Sequence, residues 1–88
     1  MSGDYTVEVR PAARKQINAI TPRDRARILR KVATLADDPR PPGVRKLTGA
    51  DALWRLRIGD YRVVYAIHDD RLLVTVVEVG HRRLVYRR

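Results

Sequence analysis

The run from Leu53 to Tyr65, LWRLRIGDYRVVY, reads as two strands folded about a turn. Trp54, Leu56 and Ile58 alternate with Arg55 and Arg57, the two-residue period of a half-buried strand, and Gly59-Asp60 supplies turn chemistry before a second β-rich run begins at Tyr61. A two-residue loop at Gly59-Asp60 pairs Ile58 with Tyr61 and sets Arg57 across from Arg62. Arg55, Arg57 and Arg62 then share one face, while Trp54, Leu56, Ile58 and Tyr61 take the other. Like charges directly opposite on a sheet cost roughly 0.2–1 kcal/mol, a cost that a bound anion relieves. The pattern predicts a phosphate site.

Outward from this hairpin, the chain reads as one domain of 88 residues, able to remove roughly 60–65% of its unfolded surface from water. It has no cysteine, so there is neither a disulfide framework nor a thiolate metal site. One Met and two separated histidines also argue against a metal centre, and no metal or cofactor is expected. The start, MSGDYTVEVR, lacks an apolar leader, and no run is long enough to span a bilayer, so a soluble, cytoplasmic protein with no membrane partner is expected. A formal charge of +9 attracts polyanions through counterion release and long-range steering. Nucleic acid is the first partner this suggests, and an acidic protein fits the same number.

Upstream, Tyr5 to Val9 alternates as a short strand, and Ala13, Ile17 and Ile20 give a narrow apolar stripe to a helix from Pro11 to about Ala19. Thr21-Pro22-Arg23-Asp24 starts a longer helix, with Thr21 as cap and Asp24 at capping-box spacing. Ile28, Leu29, Val32, Leu35 and Ala36 are its expected buried face, and Arg23, Arg27, Arg30 and Lys31 line another. That basic stripe is either solvated surface or a contact for nucleic acid or an acidic partner. Asp37-Asp38-Pro39 ends the helix, Arg40-Pro41-Pro42-Gly43 continues as a stiff connection, and Val44 to Leu47 is expected to be extended.

Downstream, Asp69-Asp70 offers a turn, and the apolar run Leu72 to Val79 fits a central strand. A two-residue loop at Asp69-Asp70 would bring Val77 beside Arg62 and carry Gly80, His81, Arg82 and Arg83 to the end of the sheet. The order β-α-α-β-β-β, with one further β element possible, implies an α+β domain whose antiparallel sheet carries two N-terminal helices on one face and binds with the other.

Three segments of this chain together resemble the RelE/ParE superfamily of toxin–antitoxin toxins, and the RelE branch most. They are Val44-Arg45-Lys46-Leu47, the run from Trp54 to Tyr65 with its Gly-Asp-Tyr-Arg-Val-Val-Tyr core, and Val79-Gly80-His81-Arg82-Arg83. The resemblance covers nearly the whole chain and implies the RelE-like fold. It also implies a ribosome-dependent endoribonuclease that cuts mRNA in the ribosomal A site and is inhibited by a cognate acidic antitoxin in a heteromeric complex. ParE-like relatives share the scaffold and act on DNA gyrase without nuclease activity, which is the alternative reading. By position, the resemblance makes Arg55, Arg57, Arg62, Arg82 and Tyr86 the catalytic candidates, with Arg83 beside Arg82. Arg45, Lys46 and Arg83 join Arg27, Arg30 and Lys31 as candidate contacts to mRNA or rRNA. Where some relatives carry lysines, this chain has Arg55 and Arg57.

Metal-independent RNA cleavage aligns the ribose 2′-OH on its own phosphate and needs a base, an acid and cations for the developing charge. A guanidinium stays protonated and binds phosphate oxygens through its planar fork, so these arginines can only stabilise charge. His81 is the nearby residue of a type suited to accept a proton at neutral pH. Tyr86 can donate a proton or stack on a base. Trp54, Tyr61 and Tyr65 fall on the apolar side by alternation and are expected in the core.

Overall fold

Leu53–Ile58 and Tyr61–His68 form strands β3 and β4, joined at Gly59-Asp60 in the expected register, with Ile58 opposite Tyr61 and Arg57 opposite Arg62. Gly59 has φ +60 while Asp60 does not enter positive φ, the pattern of a type II′ turn, whose twist matches that of the flanking strands. The structure, a computed structural model, describes residues 4–47 and 53–81.

The remaining elements are strand β1 (Thr6–Val9), helix α1 (Pro11–Asn18), helix α2 (Pro22–Ala33), a two-residue strand β2 (Arg45–Lys46) and strand β5 (Leu73–His81). Proline opens both helices, where its missing N–H costs nothing and its fixed φ suits the first turn. Thr21 is the N-cap of α2, but its hydroxyl faces the Asp24 carboxylate at 3.4 Å and makes no bond to the helix backbone. A 3₁₀ turn, Thr34–Ala36, follows α2.

The five strands lie in the order β1-β5-β4-β3-β2. The sheet is mostly antiparallel, as expected, with one parallel pair: β1 runs parallel to β5, because both helices intervene before the chain returns to the sheet. β5 is second from the edge and extends past the end of β1, whose last partner pair is Val9 and Val76. Beyond that point the Val79 N–H, which β1 no longer reaches, donates to Gln16 Oε1 of α1 at 2.7 Å.

Two corrections concern β5. The expected two-residue turn at Asp69-Asp70 is a 3₁₀ turn over Asp69–Arg71, followed by Leu72 at φ 49, so His68 pairs with Leu73. A register shift between Val64 and Tyr65 then leaves Val77 as an extra residue, since Val64 pairs with Glu78 and Tyr65 with Val76. Loop and bulge together move the partner of Arg62 from the expected Val77 to Gly80.

One side of the sheet packs on the helices. Leu56, Ile58, Val63, Tyr65, Ile67, Val74, Val76 and Val79 meet Ala13, Ile17, Ile28, Val32 and Leu35 in a single buried cluster. Fully burying such aliphatic side chains contributes about 1.5–3 kcal/mol each. Leu29, expected in this face, is 42% exposed. Ile28, Val32 and Leu35 already fill a narrow stripe at four and three residues, and Leu29 sits about 100° further round the helix.

Tyr65 is fully buried, and its hydroxyl donates to the Pro39 carbonyl at 2.8 Å, tying the segment after α2 to the sheet. Burial pushes its phenol far above the ordinary tyrosine range. At the same end of the domain, Arg40 clamps Asp69 through both carboxylate oxygens at 3.2 and 2.8 Å, and Tyr5 Oη donates to Asp69 Oδ1 at 2.6 Å. The hydrogen bonds from Arg40 and Tyr5 hold the Asp69 carboxyl down to about 2.

Candidate nucleic-acid interface

Cross-strand partners project to the same side of a sheet, so the register assigns the faces. Arg45 pairs with Arg55, Arg55 with Val64, and Val64 with Glu78, giving one row across β2 to β5. The adjacent row is Arg57, Arg62 and Gly80. Arg55, Arg57 and Arg62 therefore stand on the side turned away from the buried cluster, as the alternation in Leu53 to Tyr65 predicts, and Arg45 joins them there. Arg45 and Arg57 are exposed, and Arg55 and Arg62 are half-buried. Gly80 has no side chain, so β5 raises nothing beside Arg62 in that row. Glu78, also half-buried, brings a carboxylate to the same side, two residues along from Gly80.

Two of the candidates on strands are not brought to this face. Lys46 pairs with Trp54, in the row of Tyr65, and its ammonium lies 5.9 Å from the centre of the Trp54 ring. The Arg40 guanidinium also lies over that ring, at 5.1 Å. Lys46 follows Arg45 in an extended strand, and consecutive residues point to opposite sides. His81 pairs with Tyr61, in the row of Ile58, and meets the Tyr61 ring edge-to-face with centroids 5.9 Å apart. The bulge at Val77 shifts the parity of everything after it, so Gly80 faces Arg62 and the imidazole one residue later does not. The register thus sets His81 in the row of Tyr61 and not in that of Arg57 and Arg62. Arg82, Arg83 and Tyr86 lie outside the described residues.

Beside the arginine face, α2 and the β3–β4 turn enclose a groove of about 360 Å³, lined by Arg27, Arg30, Lys31, Thr34, Arg57 and Gly59. Arg57 belongs both to this groove and to the row with Arg62. The Arg27 guanidinium lies over the turn so closely that a Cβ on Gly59 would come within 2.9 Å of its Nη2. Sequence periodicity placed Arg27, Arg30 and Lys31 on one helix face but carried no sign that the turn closes over them. Nor did it foresee the Tyr5–Asp69–Arg40–Trp54 contacts, whose members are far apart in the chain. Among the described residues, no group of three or more His, Cys, Asp or Glu side chains is placed to hold a metal ion.

Comparison with known proteins bears on the family and the fold. A family model described as the ParE toxin of the type II toxin–antitoxin system parDE matches residues 7–86. Toxin RelG of Mycobacterium tuberculosis is 32% identical over 88 residues, which cover 96% of this chain and 98% of that protein. Among solved structures, the toxin–antitoxin complex RelBE2 of M. tuberculosis contains a chain that superposes with a TM-score of 0.81 at 27% identity, over 90% of this chain and 92% of that one. The archaeal RelE–RelB complex of Pyrococcus horikoshii contains another, with a TM-score of 0.80 at 26% identity, over 90% and 96% of the two chains.

Proposed function

Since the chain belongs to the ParE/RelE family of type II toxin–antitoxin toxins, we propose that it is the mRNA-cleaving kind, a ribosome-dependent endoribonuclease acting in the cytoplasm. The observation that supports this reading is the pair of adjacent rows in which Arg45, Arg55, Arg57 and Arg62 stand on one side of the sheet. A scissile phosphate held there meets guanidinium forks suited to its non-bridging oxygens, and they stabilise the additional charge as the 2′-oxygen attacks. The 2′-oxygen bonds to phosphorus, the 5′-oxygen leaves, and the proton lost by the first is gained by the second. Arginine performs neither transfer. By family resemblance Tyr86 is the candidate for proton transfer and Arg82 a further cation. The ribosome supplies the alignment of the strand, and no metal is required by these steps.

RelE chains of this fold are found in complexes with RelB, and a cognate acidic antitoxin fits a toxin of charge +9. Mapping transcript 5′ ends after brief induction tests the proposal. Cuts inside translated reading frames, absent with Arg62→Ala, are expected. The ParE description of the family model favours a second reading, gyrase poisoning. Intact transcripts together with a DNA-damage response would establish that reading instead.

A further inference from the structure

The groove between α2 and the β3–β4 turn is separate from the arginine rows, and Arg57 joins the two. We propose that it is a second phosphate site, which holds the backbone of the same single-stranded RNA one or more nucleotides away from the linkage cut on the sheet. This rests on the endoribonuclease reading for the identity of the strand, while the groove's affinity for phosphate stands on its own geometry.

Three observations point to this ligand. The lining brings three cations of α2, Arg27, Arg30 and Lys31, to a space of about 360 Å³ that Arg57 also borders from β3 and, among the described residues, includes no carboxylate. Such crowding costs free energy in the unbound protein and is relieved by an anion. Gly59 is the second observation. Its missing side chain leaves the space into which the Arg27 guanidinium closes, with 2.9 Å between Nη2 and the position a Cβ would take. The Arg27 guanidinium thus lies against the turn, at the border of the groove. The third is the lack of an apolar anchor. Ile58 is the one large apolar side chain among the described residues of the lining, and it is 6% exposed. A docked acidic helix or strand draws its affinity from buried apolar and aromatic contacts, which this lining does not offer. A phosphodiester strand needs only charge and hydrogen-bond donors.

The test is binding of a short fluorescent single-stranded RNA with 2′-O-methyl riboses, which removes the attacking hydroxyl, measured by anisotropy over a series of salt concentrations. The proteins are the wild type, the triple variant Arg27→Gln/Arg30→Gln/Lys31→Gln, and Gly59→Ala. Each single-strand phosphate that a protein cation no longer neutralises lowers the slope of log K against log salt by about 0.7, so the triple variant should fall by about 2 in slope and about tenfold or more in affinity. Gly59→Ala should move in the same direction by less: it displaces Arg27, and because Gly59 sits at φ +60 it also strains the β3–β4 turn, so its binding is read beside its unfolding curve. Circular dichroism and thermal unfolding confirm that each variant is folded.

A folded triple variant with wild-type slope and affinity overturns the proposal. So does one that keeps RNA binding but loses binding of a polyglutamate peptide, which would make the groove a dock for an acidic polypeptide. Wild-type binding with the expected slopes but no transcript cleavage would defeat the endoribonuclease reading and leave the phosphate site standing. Cleavage by the wild type with unchanged slopes in the variants would do the reverse.

Discussion

Arg57 and Arg62 face each other directly across the β3–β4 ladder, two like charges at the end of a hairpin. A fold selected for stability alone would place opposite charges there, because like pairs cost roughly 0.2–1 kcal/mol. Arg57→Gln is therefore expected to leave thermal stability unchanged or raise it slightly in low salt, with the difference shrinking at high salt. Removal of one preorganised donor should at the same time lower transcript cleavage on the order of 10² to 10³. Unfolding curves in two salt concentrations and a cleavage assay check both. A variant that is markedly less stable and still fully active would refute the assignment.

Glu78 is the carboxylate that the register places in the row of Arg45 and Arg55. At a separation of about 8 Å and near-aqueous screening, it offsets about 0.5 kcal/mol of the attraction for a phosphate. Glu78→Gln should tighten binding of uncleavable RNA about twofold, an effect that fades with added salt. Titration at low and high ionic strength measures it, and weaker binding would show that Glu78 instead organises the arginines.

Tyr65 ties Pro39 to the sheet from a fully buried position. Tyr65→Phe strands the Pro39 carbonyl without its donor and should cost about 1–3 kcal/mol in denaturant unfolding. The phenol is held far above its ordinary value of 10.0, chiefly by burial. Its contribution is therefore fully present below about pH 10 and lost as pH rises further, because the unfolded chain releases that proton first. Wild-type stability should fall on the alkaline side, and Tyr65→Phe should flatten that fall. An unchanged alkaline slope in the variant would place the titrating group elsewhere.

Asp69, gripped by Arg40 and Tyr5, shows the opposite linkage. Its carboxyl is lowered from 3.8 to about 2, so the stability it supplies is complete above its unfolded value and disappears as pH falls toward about 2. Asp69→Asn should be less stable than wild type near neutrality, and the two should converge at the acid end. The Arg40 and Asp69 side chains are both exposed, so the difference should be small and salt-sensitive. Parallel melting curves from neutral pH down to the acid limit are the measurement.

Much of this was legible beforehand because it is local. A two-residue period, a Gly-Asp turn and a proline at each helix start specify strands, hairpin and helices within a few positions, and the hairpin register with its arginine pair follows from turn length alone. Alternation stops specifying the register where one added residue changes the count. The extra Val77 and the longer turn at Asp69–Arg71 together moved Gly80 to Arg62 and turned His81 toward Tyr61. A bulge leaves little trace in an unbroken apolar run such as LLVTVVEV, since every residue there tolerates burial on either side.

Local order along the chain was enough to specify the α+β elements, the positive surface and the guanidinium-rich side of the hairpin, because alternation and turn chemistry act between near neighbours. Packing decided the rest: β1 parallel to β5, Lys46 against Trp54, Asp69 between Arg40 and Tyr5, and the closure of α2 over Gly59 that gathers Arg27, Arg30, Lys31 and Arg57 into one groove. These contacts join residues distant in sequence. Their partners are chosen only when the apolar faces of helix and sheet meet, and the burial that drives that meeting is blind to which charges it brings together.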